Sequence, residues 1–221
     1  MHIDQLIVWA NDLRAQRHFY ESVLGLSVRA TVDQLVVRAG DTRLIFQQAR
    51  RDWSGVYHFA FNIPENKFKE SKDWLQARTP LIRDEAGRDE FDFQEWQAHG
   101  LYFYDAAGNI AEFVARHTLP NASAKPFSPE SILCVSEIGI VVEDVRASLL
   151  EYQTTFGIQL YGEPSDTFAP LGDENGLLIV VKRGRNWAPD TFTPADIYPT
   201  TVVMRTPLGE RLLVHTQLGL K

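Results

Sequence analysis

Six histidines, one cysteine and a scatter of carboxylates bound the chemistry open to this chain. Cys134 stands at the end of a proline-containing stretch. No GxSxG elbow, CxxC pair or glycine-rich phosphate loop accompanies it, so nucleophilic catalysis has no obvious carrier. His18 falls on a helical stripe, His117 follows a strand, and His215 lies in a degenerate C-terminal segment. His58 is different, since it opens an apolar run with the length of a strand, residues 58–63. Glu112 sits in the second arm of a hairpin formed by residues 100–104 and 110–116 around the turn Asp105-Ala-Ala-Gly-Asn109.

The elements that would position these groups come from a repeat. Residues 5–41 return as residues 137–173 at one constant offset, with Asp12, Arg14, Ala15, Tyr20, Gly25, Gly40 and Asp41 recurring as Asp144, Arg146, Ala147, Tyr152, Gly157, Gly172 and Asp173. After a two-residue insertion, Arg51 and Trp53 return as Arg185 and Trp187. Such self-similarity marks one supersecondary unit used more than once. The unit reads as strand (2–9), helix, then strands 26–31, 34–39 and 43–48. Asp12 offers N-cap chemistry, Leu13, Phe19, Tyr20 and Leu24 form the apolar stripe, and Gly25 stands where a left-handed C-cap belongs. A diverged second unit starts at Tyr57, with a helix over residues 64–77, and a third starts near Val135. The fourth is reduced to two strands, 200–205 and 210–216, with no residues left for a helix. The expected class is α+β: tandem βαβββ modules forming two cupped mixed sheets.

At 221 residues, 44% hydrophobic and 23% charged, the chain has the composition of a globular protein with a real core. A net charge of −7 without a Lys/Arg cluster argues against nucleic acid or an anionic membrane as partner. One cysteine excludes an intramolecular disulfide, and no secretory leader or 18-residue apolar run is present, so a cytoplasmic location is expected.

Tandem βαβββ units, a helix carrying Asp12-Leu13, Phe19-Tyr20 and Leu24-Gly25, and the GNxxE hairpin of residues 108–112 together resemble the vicinal oxygen chelate superfamily. Its members include glyoxalase I, fosfomycin-resistance thiol transferases, extradiol dioxygenases and bleomycin-resistance proteins. The resemblance implies paired units forming a cupped sheet, with metal ligands projecting inward from the first and last strands of each. It places domains at 1–118 (paired modules with the metal cleft), 119–133 (a linker with three prolines) and 134–221.

Carried over by position, the first-strand ligand is Gln5, seven residues before Asp12, and its counterpart in the second unit is His58. Glu112 is the GNxxE carboxylate, Ile45 holds the fourth ligand position, and Gln47 lies on the same strand face. Gln5, His58 and Glu112 form a nitrogen and oxygen set for divalent Fe, Mn, Ni or Zn, with water or substrate completing the shell. The alternative is a hydrogen-bonded polar cluster without an ion. The other half offers Glu137, Thr200 (or Thr201) and Leu213 at these places, which points to one site, in the N-terminal half. Tyr102, ten residues before Glu112, follows the extradiol pattern as a substrate contact, with His99 substituting as the proton shuttle; Tyr102 and Tyr104 also read as ordinary strand aromatics. Strand parity adds Trp9 as an aromatic wall and Asn62 as a polar contact, with Arg185 read as surface and Trp187 as structural.

Two functions fit the resemblance. One is a metal-dependent enzyme, glyoxalase-like lyase or isomerase or ring-cleaving dioxygenase, acting on a small oxygen-chelating substrate. The other is a metal-free small-molecule binder of the bleomycin-resistance type. The C-terminal half is expected to serve as structure, its strands 200–205 and 210–216 pairing with the third unit and leaving a face for a homodimer contact.

Overall fold

The computed structural model describes residues 1–189 and 192–215. Each repeat begins as its sequence requires. Strand β1 (His2–Ala10) runs into helix α1 (Leu13–Arg17), where the Asp12 carboxylate caps the Arg14 and Ala15 N–H groups at 2.9 Å. The helix continues through a wider π-type turn (His18–Val23), and Gly25 then takes φ +69°, a left-handed conformation that a side chain would strain. The third unit repeats the device: strand β9 (Cys134–Val142), Asp144 capping the Ala147 N–H, α3 (Val145–Phe156), and Gly157 at φ +66°. Strands β2 (Ser27–Ala30), β3 (Gln34–Ala39) and β4 (Thr42–Gln48) complete the first module. The second holds β5 (His58–Ile63), α2 (Phe68–Gln76), β6 (Phe91–Phe93), β7 (Ala98–Tyr104) and β8 (Ile110–Arg116). Strands β10 (Phe168–Asp173) and β11 (Gly176–Lys182) finish the third, and β12 (Thr200–Thr206) with β13 (Gly209–His215) form the helix-less fourth. Thr216, the last residue of the expected final strand, lies outside the described residues.

The modules pair differently from the sequence expectation. A six-stranded sheet runs β13-β12-β1-β4-β3-β2, and a seven-stranded sheet runs β10-β11-β9-β5-β8-β7-β6. The first module therefore joins the fourth, and the second joins the third, across the residues 119–133 expected to separate two domains. Strand β12 pairs with β1, and β13 with β12, rather than with the third unit. The physical reason is that β1 and β9 carry the same pattern, so either could sit beside β5. What differs is cover: β5, β8 and β9 are buried on both faces, whereas alternate residues of β1 stay half-exposed. One apolar core containing Leu6, Val8, Phe59, Phe61, Phe113, Ile138 and Ile140 joins the two sheets. Among the described residues, no helix is long and apolar enough to cross a membrane.

A buried Asp105 ties the first module to the hairpin of the second. Its carboxylate accepts from Gln16 Nε2 (2.8 Å), the Tyr20 hydroxyl (3.0 Å), the Asn109 side chain and the Ala107 and Asn109 N–H groups. Asn109 Oδ1 in turn accepts from the Tyr57 N–H. The Asn of the GNxxE pattern is thus a positioning residue that sets where β8 begins and so where Glu112 points.

Candidate metal centre

Strand register builds the site. On the face of the seven-stranded sheet away from the main core, Tyr102, Glu112, Ala60 and Glu137 are cross-strand neighbours in one row over β7, β8, β5 and β9. Two carboxylates thus flank a small residue. Adjacent strands lie about 4.8 Å apart, so the two glutamates start from strands nearly 10 Å apart and converge above the Ala60 methyl. His58 stands two residues before Ala60 on the same face. Ligand atoms from His58, Glu112 and Glu137 all lie within 4.8 Å of one another, and all three residues are buried.

Each group could serve as a cation ligand. His58 Nδ1 lies 3.1 Å from the Ile110 carbonyl oxygen, an acceptor, so Nδ1 carries the proton and Nε2 keeps its lone pair. Burial holds the ring neutral, pushing its pKa down to about 4, against the pull of that carbonyl and with help from the Arg185 charge. Nε2 is 3.8 Å from Glu112 Oε2, too long for a hydrogen bond and near the span of two atoms sharing one ion at about 2.1 Å each. Glu112 Oε1 is buried with no hydrogen-bond partner. A Cβ at position 100 would come within 2.3 Å of that oxygen, so Gly100 leaves the space it occupies. Burial first, then the Glu137 charge, pushes the Glu112 carboxyl well above the usual range. Glu137 is also raised by burial, partly offset by Arg116. Two buried carboxylates, an orphaned oxygen and an imidazole with a free nitrogen suit a divalent ion of the borderline kind.

Two further residues shape the electrostatics. Arg116 is fully buried, ion-pairs with Glu137 and donates from Nε to Asn62 Oδ1 at 3.2 Å. Asn62 donates to the Glu174 carbonyl at 2.8 Å, fixing its own orientation. Tyr102 packs beside His58 with its hydroxyl toward Glu112, and burial followed by the two carboxylates keeps the phenol neutral. Above the row lies a cavity of about 530 Å³ bounded by Phe93, Trp96, Phe168, Ile179 and Trp187. Gly139 admits the Trp187 ring, which would lie 2.4 Å from a Cβ there and sits 5.3 Å from the His58 ring.

The structure brings His58 and Glu112 together and adds Tyr102, with Asn62 one step behind through Arg116. It does not bring Gln5, Gln47 or Trp9, which belong to the other sheet; Gln5 pairs with Arg43 and Val203, and Trp9 packs on Trp53. His99 is an odd number of residues from Tyr102 and so faces the helix side, beside Phe68 and 2.8 Å from His117. The third ligand candidate is Glu137, the repeat counterpart of Gln5. It comes from the half expected to be only structural. Ile179 stands in β11 where Ile45 stands in β4, leaving the fourth strand position without a donor.

No protein-family model and no curated protein matches the sequence. Solved structures do. A putative dioxygenase from Bacillus subtilis superposes with a TM-score of 0.58 at 18% identity, over 82% of this chain and 63% of that one. Glyoxalase I from Zea mays superposes with a TM-score of 0.53 at 14% identity, over 82% of this chain and 66% of that one. The fold, tandem βαβββ modules in two mixed sheets, is the one these two structures share. At these identities the likeness establishes architecture, and this chain spans less than two thirds of either protein's length. In this chain, the first and last strands of the second and third modules carry His58, Glu112, Glu137 and the donor-less Ile179.

Proposed function

We propose that the chain is a metal-dependent enzyme in which His58, Glu112 and Glu137 hold one divalent cation and a small substrate with adjacent oxygens enters the cavity above them. The observation that carries this reading is the orphaned Glu112 Oε1, buried beside a second carboxylate and a free imidazole nitrogen. The ion would supply Lewis acidity toward substrate oxygens, as lyase, isomerase and ring-cleaving chemistries of this fold require. The Ile110 carbonyl fixes the His58 tautomer, Trp187 and Trp96 limit water, and Tyr102 presents a neutral hydroxyl where a developing oxyanion would need a donor.

The Arg116–Glu137 ion pair favours a second reading, a metal-free binder, because the guanidinium already balances one carboxylate. Metal analysis after purification without chelator separates the two. About one equivalent of a divalent metal, lost in His58→Ala, supports the enzyme; an empty wild-type protein that also takes up no added Mn²⁺, Zn²⁺ or Ni²⁺ supports the binder.

A further inference from the structure

The motif Arg-x-Trp occurs twice, and its two copies have different surroundings. In the first module Arg51 is exposed to solvent. In the third, the turn after β11 is held by Arg185 N–H to the Lys182 carbonyl (3.1 Å) and Ala195 N–H to the Arg185 carbonyl (2.8 Å). Held so, Arg185 is half-buried in the cavity wall, its guanidinium 5.1 Å from the Phe168 ring centre. Among the described residues no carboxylate forms an ion pair with it, although Arg183 two positions earlier engages both Glu143 and Asp196. A guanidinium partly stripped of water without a counter-charge is unfavourable, and an anionic ligand would recover that loss. Its charge is felt at both His58 and Tyr102, so it faces the same space as the metal triad.

The rest of the wall restricts the ligand further. Phe93, Trp96, Phe168 and Trp187 offer flat apolar surface. Asp92, Glu95 and Glu163 also line the cavity from exposed positions, so its mouth disfavours a dianion more strongly than a monoanion that Arg185 can neutralise. We infer that Arg185 is a specificity residue, and that the substrate of this site is a monoanion with a planar, aromatic-sized body whose anionic group pairs with Arg185. The inference deepens the proposed function by naming the substrate class, and it rests on that reading for the site's use.

The test is calorimetric or ligand-observed NMR titration of wild type, R185Q and R185K, metal-loaded and chelator-treated, with benzoate, benzamide and terephthalate up to 10 mM. Benzoate should bind at least tenfold tighter than the neutral amide or the dianion. R185Q should abolish that preference, R185K should keep part of it, and benzamide should bind all three proteins alike. Benzoate binding that is undetectable, no tighter than benzamide, or unchanged in R185Q overturns the assignment. Metal content of R185Q is measured in parallel and should equal wild type. A protein that never holds metal yet shows the Arg185-dependent preference defeats the enzyme reading alone.

Discussion

Replacing Arg116 by Met removes the fixed positive charge beneath the two glutamates while keeping an unbranched apolar side chain. Arg116 is 0% exposed and its partner Glu137 side chain 6%, so water cannot take over the guanidinium's role. Breaking a buried pair from one side is worth about 3–5 kcal/mol. The protein has an escape, because the stranded carboxyl can take up a proton. From the ordinary Glu value of 4.5, holding a proton at pH 7 is worth about 3.4 kcal/mol, and at pH 5 under about 1 kcal/mol. The loss in R116M should thus be about 3 kcal/mol at pH 7, about 6–12 °C in Tm for a chain of this size, and should shrink severalfold at pH 5. Chelator-treated protein followed by thermal melting at both pH values measures it. Saturating Mn²⁺ should raise the Tm of R116M more than that of wild type, because the ion meets a glutamate no longer claimed by arginine. A loss independent of pH, or equal metal shifts in the two proteins, would refute the reasoning.

Two further outcomes follow from the buried groups. Glu112 has a folded-state pKa raised above its unfolded 4.5, so the folded chain holds the extra proton and metal-free stability falls as pH rises above that value. His58 acts in the opposite sense: its pKa is depressed from 6.5 to about 4, so stability of about 3 kcal/mol is lost as pH drops through that interval. Above pH 6.5 His58 contributes no slope and the raised carboxyls of Glu112 and Glu137 remain, so saturating divalent ion should flatten the downward slope in urea titrations; a slope unchanged by metal contradicts the ligand role. Asp105→Ala strands Gln16, Tyr20 and Asn109 in the core and should destabilise by about 2–5 kcal/mol, read by chemical denaturation. A change below about 1 kcal/mol would show that the hairpin is set by other contacts.

The local parts of this fold were legible because local chemistry specifies them. Asp12 and Asp144 cap helices, Gly25 and Gly157 end them, and the GNxxE turn closes the hairpin that carries Glu112. Module pairing was not legible, because it depends on contacts between distant strands with the same period-two pattern. Choosing the N-terminal pair of modules put Gln5 in the site in place of Glu137. One signal did exist: Glu137 and Arg116 are opposite charges in largely apolar strands, β9 and β8, whose burial demands partners. Arg185, read as surface, is half-buried in the cavity wall, and Trp187 packs in the apolar cluster beside it, because the loop of the third module turns both toward the cavity.

The central claim is that a single metal centre is built by the second and third modules together. Titrating Mn²⁺ or Zn²⁺ into chelator-treated wild type, Q5A, H58A and E137Q by calorimetry tests it most directly. Wild type and Q5A should bind one equivalent with the same affinity, while H58A and E137Q lose tenfold or more. Binding that weakens in Q5A but survives in E137Q would contradict the account.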